Sequence, residues 1–152
     1  MRIVIAAVGR LRRSAEYDLV ETYRGRIHWP LFFREVEERR PLPTAERQRR
    51  EADLLRAALP GGAVVVALDE RGLQLDSRQF ADRIRGWQDS AVRDLAFVIG
   101  GADGLDAAFL AETSLKISFG IMTWPHLLVR GMLMEQLYRA QQILAGHPYH
   151  KD

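Results

Sequence analysis

Apolar residues follow two alternating rhythms along this chain: short, nearly continuous runs, and longer stretches spaced by three and four, the signatures of strands and helices in turn. Arg2–Val8 is a β-rich apolar run closed by Gly9 and reads as a buried first strand. Over residues 14–28, Tyr17, Val20, Tyr23 and Ile27 recur at spacings of 3, 3 and 4, which predicts an amphipathic helix with Ser14 as N-cap and Trp29-Pro30 as its stop. Residues 32–38 alternate in part and suggest a second strand. After Pro41-Leu42-Pro43, Thr44 opens a helix carrying Leu54, Leu55, Ala58 and Leu59, halted by Pro60-Gly61-Gly62. Residues 63–68 form an uninterrupted apolar run, the mark of a strand covered on both faces, with Asp69-Glu70-Arg71-Gly72 as a turn behind it. A helix over 77–87 places Phe80, Ile84 and Trp87 on one face. Residues 95–99 form another buried strand, closed by Gly100-Gly101-Ala102-Asp103-Gly104, and the next helix has Leu105, Phe109 and Leu110 on its apolar side. Residues 115–122 give the last strand and 126–145 the longest helix. This alternation predicts an α/β fold, a mostly parallel sheet sandwiched by helices.

The final helix carries more apolar surface than one sheet face can cover. Val129, Leu133, Leu137, Ala140 and Leu144 form one stripe, and Leu128, Met132, Met134 and Tyr138 widen it. Such a helix needs cover on most sides. A two-fold homodimer is the expected source; the alternative is central burial beneath the arginine-rich amino-terminal half.

Composition narrows the class. At 152 residues, 47% hydrophobic and 28% charged, the chain suits a single domain over 1–152 and is too apolar for wholesale disorder. No apolar run approaches the ~18–20 residues of a membrane span, and the amino-terminal run is too short for a signal peptide, so no membrane partner and a cytoplasmic location are expected. With no Cys, disulfides, thiolate metal sites and cysteine nucleophiles are excluded. The net charge of +2 conceals an asymmetry: residues 1–60 hold 13 Arg against 9 acids, and residues 61–152 hold 9 bases against 11 acids. Arg10, Arg12 and Arg13, and Arg47, Arg49 and Arg50, form two clusters that suit either a polyanion or a solvated helix face.

Ligands of open α/β sheets bind where the loops at the strands' carboxyl ends converge. Gly100-Gly101 allows backbone to approach a ligand there without a Cβ intervening, and Gly104 relaxes the turn into the next helix. Neither the dinucleotide glycine fingerprint nor a phosphate-binding loop is present. Of the four His, His126 reads as a helix-start residue; His147 and His150 are three apart, but no third ligand is near in sequence, so no metal site is expected. The tail His147-Pro148-Tyr149-His150-Lys151 concentrates titratable groups directly after the longest helix.

Several of these segments together resemble the RlmH family of SPOUT-class methyltransferases. The resemblance is carried by residues 97–105 (FVIGGADGL), by Thr123-Trp124-Pro125-His126-Leu127-Leu128-Val129-Arg130, by residues 135–140 (EQLYRA) and by the HPYHK tail. The opening IVIAAVGR and the run VVVALDERG agree with it, so it extends from end to end. It departs at Gly-Gly-Ala-Asp-Gly, where many relatives carry Pro-Glu after the paired glycines, and at Leu127, where some carry Pro.

The resemblance implies a carboxyl-terminal trefoil knot, an obligate homodimer, and methylation at N3 of a pseudouridine in 23S rRNA within the assembled ribosome. It implies S-adenosylmethionine held by Leu68, Gly100, Gly101, Phe119, Gly120, Ile121, Met122, Thr123, Trp124 and Pro125. The N3 proton must leave before that nitrogen attacks, which calls for a base or a cation nearby. Candidates are His150 as proton acceptor, with Tyr149, and Arg139 to offset the developing charge. The alternative is a non-catalytic RNA- or ribosome-binding factor with a methyltransferase-like fold.

Overall fold

The computed structural model describes residues 1–151; Asp152, the last residue of the expected span, lies outside the described residues. Ten elements alternate strictly: β1 (Arg2–Val8), α1 (Ala15–Arg24), β2 (Leu31–Val36), α2 (Thr44–Ala58), β3 (Val64–Gln74), α3 (Ser77–Asp89), β4 (Asp94–Ile99), α4 (Ala107–Glu112), β5 (Leu115–Ser118) and α5 (His126–Leu144). The strands form one sheet in the order β2-β1-β4-β3-β5, with every pairing parallel. All five carboxyl ends therefore open on the same edge.

Strand periodicity divides the core. Ile3, Ile5 and Ala7 of β1 face the layer built from Val20, Ile84 and Leu133 of α1, α3 and α5. Ala6 and Val8 face Ala52 and Leu55 of α2 and Phe109 of α4. β4 is buried along its whole length, as its apolar run predicts. The pattern holds only in part for β3, where Val66 and Ala67 are buried and their neighbours half-buried.

Three expectations change. Helix α1 ends at Arg24 rather than near His28, because the Gly25 N–H already closes the last turn onto the Glu21 carbonyl at 3.1 Å. Ser14 caps its start as expected, accepting from the Tyr17 N–H at 3.2 Å. Residues 69–72 do not terminate their strand: β3 pairs through Leu68↔Ile117, bulges out of the ladder, and returns to β5 at Leu73↔Ile117. Strand β5 stops at Ser118, four residues early, since Ser118 Oγ bonds both the N–H and the carbonyl of Gly120, whose φ of +118° turns the chain away.

None of the residues of α5 is exposed; α1 and α3 flank it, and at Gly131 the approach of α1 is so close that a Cβ would collide with the Leu19 side chain. The helices α1 and α3 thus cover part of α5 within the chain: six of its residues are buried and the rest half-buried, with Met132, Glu135 and Gln136 facing an open cleft.

Candidate active site

The bulge of β3 and the loops after β4 and β5 enclose a pocket of about 130 Å³ at the carboxyl edge. Leu68 enters from the end of the first regular run of β3. Gly100 and Gly101 follow β4, and Phe119, Gly120, Met122, Thr123 and Trp124 come from the segment that joins β5 to α5. Eight of the ten residues expected to hold the cofactor therefore share one wall. Ile121 and Pro125 are not on it: Ile121 is 84% exposed and Pro125 serves as the N-cap of α5.

The paired glycines are required by the packing of the turn itself. A Cβ on Gly100 would lie 2.9 Å from the Gly104 carbonyl carbon and 3.0 Å from Leu105 Cγ, and one on Gly101 would lie 3.0 Å from Glu51 Oε2 and 3.1 Å from Val8 Cγ1. At Gly101 that position points behind the loop toward α2 and β1, and at Gly100 across the turn toward Gly104 and Leu105, so packing of the turn demands glycine. The turn closes with the Gly104 N–H donating to the Gly101 carbonyl at 3.0 Å, Gly104 having φ +78°. Helix α2 braces it from behind: the Gln48 amide donates to the Asp103 carbonyl at 2.6 Å, and Arg47 pairs with the Asp103 carboxylate at 3.6 Å. Burial, reinforced by the charge of Asp103, pushes the Glu51 carboxyl above its ordinary range.

Apolar side chains from Leu68, Ile99, Leu105, Ile117, Met122 and Trp124 dominate the pocket, and its polar members are Asp69, Glu70, Thr123 and His126. No Lys or Arg lines it. Burial, and then the charge of Arg130, holds His126 below the usual histidine range, so this wall is a neutral imidazole at neutral pH. The Thr123 hydroxyl and Glu70 Oε2 lie 3.3 Å apart across the rim. The rim itself is apolar and open, with Met122 72% and Trp124 41% exposed.

A larger cleft of about 910 Å³ adjoins this pocket, between the start of α3, α1, α5 and the tail. The two cavities share Ile117, Phe119 and Gly120. His150 and Lys151 line the cleft, and the tail is tied to α5 through Glu135. Glu135 Oε1 accepts from Arg139 Nη2 at 2.6 Å and Nε at 2.9 Å, and from the Tyr149 hydroxyl at 3.0 Å. Arg139 stacks over the Tyr149 ring at 4.8 Å, and Tyr149 meets Tyr138 edge to face at 4.7 Å. Burial first, then hydrogen bonding, pushes the Tyr149 phenol well above its ordinary range, so it keeps its proton and donates a hydrogen bond to Glu135.

Arg139 Nη1 lies 3.1 Å from His150 Nδ1. A guanidinium only donates, so Nδ1 is the acceptor and the imidazole proton resides on Nε2. The expected trio of Arg139, Tyr149 and His150 is thus one cluster, and its hub, Glu135, was missed. The spacing of Glu135 and Arg139 by four on a helix was the available signal.

Within the described residues no group of three or more His, Asp or Glu could hold a metal ion, and no helix is long and apolar enough to cross a membrane.

Comparison with known proteins adds the following. A family profile described as "Predicted SPOUT methyltransferase" matches residues 1–150. The ribosomal RNA large subunit methyltransferase H of Rhodospirillum centenum is 58% identical over 151 residues, spanning 99% of each chain. The protein of the same name from Rhodospirillum rubrum is 52% identical over the full length of both. Among solved structures, a probable methyltransferase from Bordetella pertussis superposes with a TM-score of 0.60 at 16% identity, over 91% of this chain and 95% of the other. A probable methylase family protein from Haemophilus influenzae gives 0.57 at 11% identity, over 99% and 70%. At those identities the likeness speaks for the fold.

Proposed function

This chain belongs to the SPOUT methyltransferase family, and from that premise we propose that it methylates N3 of a pseudouridine in 23S rRNA, using S-adenosylmethionine and acting on the assembled ribosome as a cytoplasmic homodimer. The observation that carries this reading is the meeting of the two cavities at Phe119 and Gly120, an apolar recess on one side and the His150–Arg139 cluster on the other.

The smaller pocket fits the donor chemically. Its apolar walls suit an adenine ring, its exposed loop amides offer the ring edge hydrogen bonds, and its charged members are acids beside a neutral imidazole, which suits a ligand with a cationic sulfur. S-adenosylmethionine supplies a methyl group already activated on that sulfur, so the protein's task is alignment. Leu68, Gly100, Gly101 and residues 119–125 would hold it. At about 130 Å³ the pocket is smaller than the roughly 300–1,000 Å³ of typical ligand sites, so its exposed rim must close. A second copy packed over Met122 and Trp124 supplies that closure and is the basis on which we propose the homodimer. A carboxyl-terminal trefoil knot is part of this proposal, and the bulge at 69–72 lies against the backbone of β5 beside it.

In the larger cleft the target base would present N3 toward the shared wall. The Arg139 guanidinium stabilises the imide anion that attack requires. His150 accepts the N3 proton once Arg139 releases Nδ1, directly or through water. Glu135 holds Arg139 and Tyr149 in place.

RNA docking falls to the same edge of the sheet. Arg12 and Arg13 follow β1, Arg49 and Arg50 lie in α2, and all four are exposed without an ion pair among the described residues. A non-catalytic RNA-binding factor would need neither the pocket nor the tail cluster. Calorimetric titration with S-adenosylmethionine, followed by transfer of a labelled methyl group to ribosomes from cells lacking the modification, tests the proposal. Heat of binding with incorporation into 23S rRNA supports it; RNA binding without donor binding or transfer favours the factor.

A further inference from the structure

A fully buried guanidinium in a domain of this size demands an explanation, because a charge out of water is tolerated only when its bonds are in place. Arg130, in the second turn of α5, has none of its surface exposed. Its Nη1 donates to Glu35 Oε2, and its Nη2 donates to the Val8 carbonyl at 3.0 Å and the Gly9 carbonyl at 2.8 Å. Its Nε is buried without a partner. Glu35 Oε2 in turn accepts the Leu11 N–H at 2.6 Å. One side chain therefore ties the start of α5 to the carboxyl ends of β1 and β2, across more than 90 residues of sequence.

His126 stands one turn earlier on the same helix. Its Nε2 and Arg130 Nη2 lie 3.6 and 3.7 Å from the point where a Gly9 Cβ would project. His126 is also a wall of the donor pocket, and the rim residues Met122, Thr123 and Trp124 lead directly into it. The other end of the network, Leu11, sits within the loop that carries Arg10, Arg12 and Arg13. The charged groups around His126 are Arg130 on its own helix, Asp69 and Glu70 across the pocket from β3, and Glu35 from β2 behind Arg130.

We propose that Arg130 is a positioning residue: with Glu35 and the carbonyls of Val8 and Gly9 it fixes His126 and the rim ahead of it, and so governs donor affinity from outside the pocket while holding the arginine loop in place. The proposal rests on the reading above that this pocket takes the donor.

Glu35→Gln is the main test, since it preserves shape and removes the charge opposite Arg130; Arg130→Met is the second variant. Two readouts are needed: calorimetric affinity for S-adenosylhomocysteine, the unreactive product, and the titration of the His126 ring followed by NMR. Glu35→Gln is expected to weaken S-adenosylhomocysteine by roughly 2- to 30-fold, the range for partners that act through a network. The His126 midpoint should move down in Glu35→Gln, where the Arg130 charge is left unopposed, and up in Arg130→Met, where it is gone. A loss of packing alone would not produce opposite signs. Unchanged affinity and an unchanged His126 titration in a cooperatively folded Glu35→Gln protein overturn the proposal. If the parent protein binds no S-adenosylhomocysteine, the donor-pocket reading fails, and the NMR arm decides alone whether Arg130 governs His126.

Discussion

Gly72 lies where β3 returns to β5, and it has no room for a side chain. A Cβ there would sit 2.7 Å from the backbone N and C of Ile117 and from the C of Lys116. These are main-chain atoms of β5, pinned to β3 on both sides of the bulge by Leu68↔Ile117 and Leu73↔Ile117; unlike a side chain, they cannot rotate away. Restoring ordinary contact at 3.4 Å from 2.7 Å means moving the strand by 0.7 Å. Overpacking a core costs about 1–3 kcal/mol, and a rigid backbone collision belongs at the upper end, about 3 kcal/mol. For a domain of this size each kcal/mol lowers Tm by about 2–4 °C, so Gly72→Ala should melt about 6–12 °C below the parent. Because β5 runs straight into Phe119 and Gly120, donor affinity should fall with it. Gly61, with open space where its Cβ would be, is the control, and Gly61→Ala should be neutral or slightly stabilising. Differential scanning calorimetry on the three proteins reads the result. A Gly72→Ala protein melting within about 1 °C of the parent would refute the close approach of the β3 and β5 backbones at Gly72.

Other consequences are equally open to measurement. Glu51 binds its proton more readily in the folded protein than in the unfolded chain, so its ionised form costs stability above the folded pKa, and that cost disappears as pH falls through the ordinary glutamate range. Glu51→Gln should therefore melt a few degrees higher than the parent at pH 7 and level with it near pH 4; a lower melting point at pH 7 counts against the argument. His150→Ala should retain S-adenosylhomocysteine binding while slowing single-turnover methylation by about 10²- to 10⁴-fold, and an unchanged rate removes His150 from the chemistry. Replacing Arg12 and Arg13 by Gln should flatten the dependence of log affinity on log salt by about 0.7–0.9 for each phosphate that is no longer neutralised. A salt slope equal to the parent's would take these residues out of the RNA surface.

Much of the fold was readable because its signals are local. The bounds of β1 agree with its apolar run, and Ser14 and Pro60-Gly61-Gly62 mark helix ends by capping and by breaking. What escaped depends on tertiary context. Residues 69–72 read as a turn because nothing in Asp-Glu-Arg-Gly reveals that the chain rejoins the same strand at the same partner. Nor does the apolar girth of α5 distinguish cover by α1 and α3 from cover by another subunit. In the site, the loops near strand ends were legible from motif order, and eight of the ten residues expected to hold the cofactor share a wall. Side chains acting at a distance were not: Glu135, Glu35 and the burial of Arg130 follow from bonds made across the sheet or along a helix face. The packing constraint on the glycine pair was equally hidden, since it comes from Glu51 and Val8 behind the loop and from Gly104 and Leu105 across the turn.

The central claim is that a donor bound beside Gly100 and Gly101 delivers its methyl group across Phe119 and Gly120 to a nitrogen held near His150. Mass spectrometry of nucleosides from 23S rRNA, after ribosomes lacking the modification have been treated with the protein and isotopically labelled S-adenosylmethionine, tests it most directly. The account predicts one labelled methyl group per 23S molecule, on N3 of a pseudouridine. Label on a ribose oxygen or a base carbon, or no label from a protein that binds the donor, would contradict it.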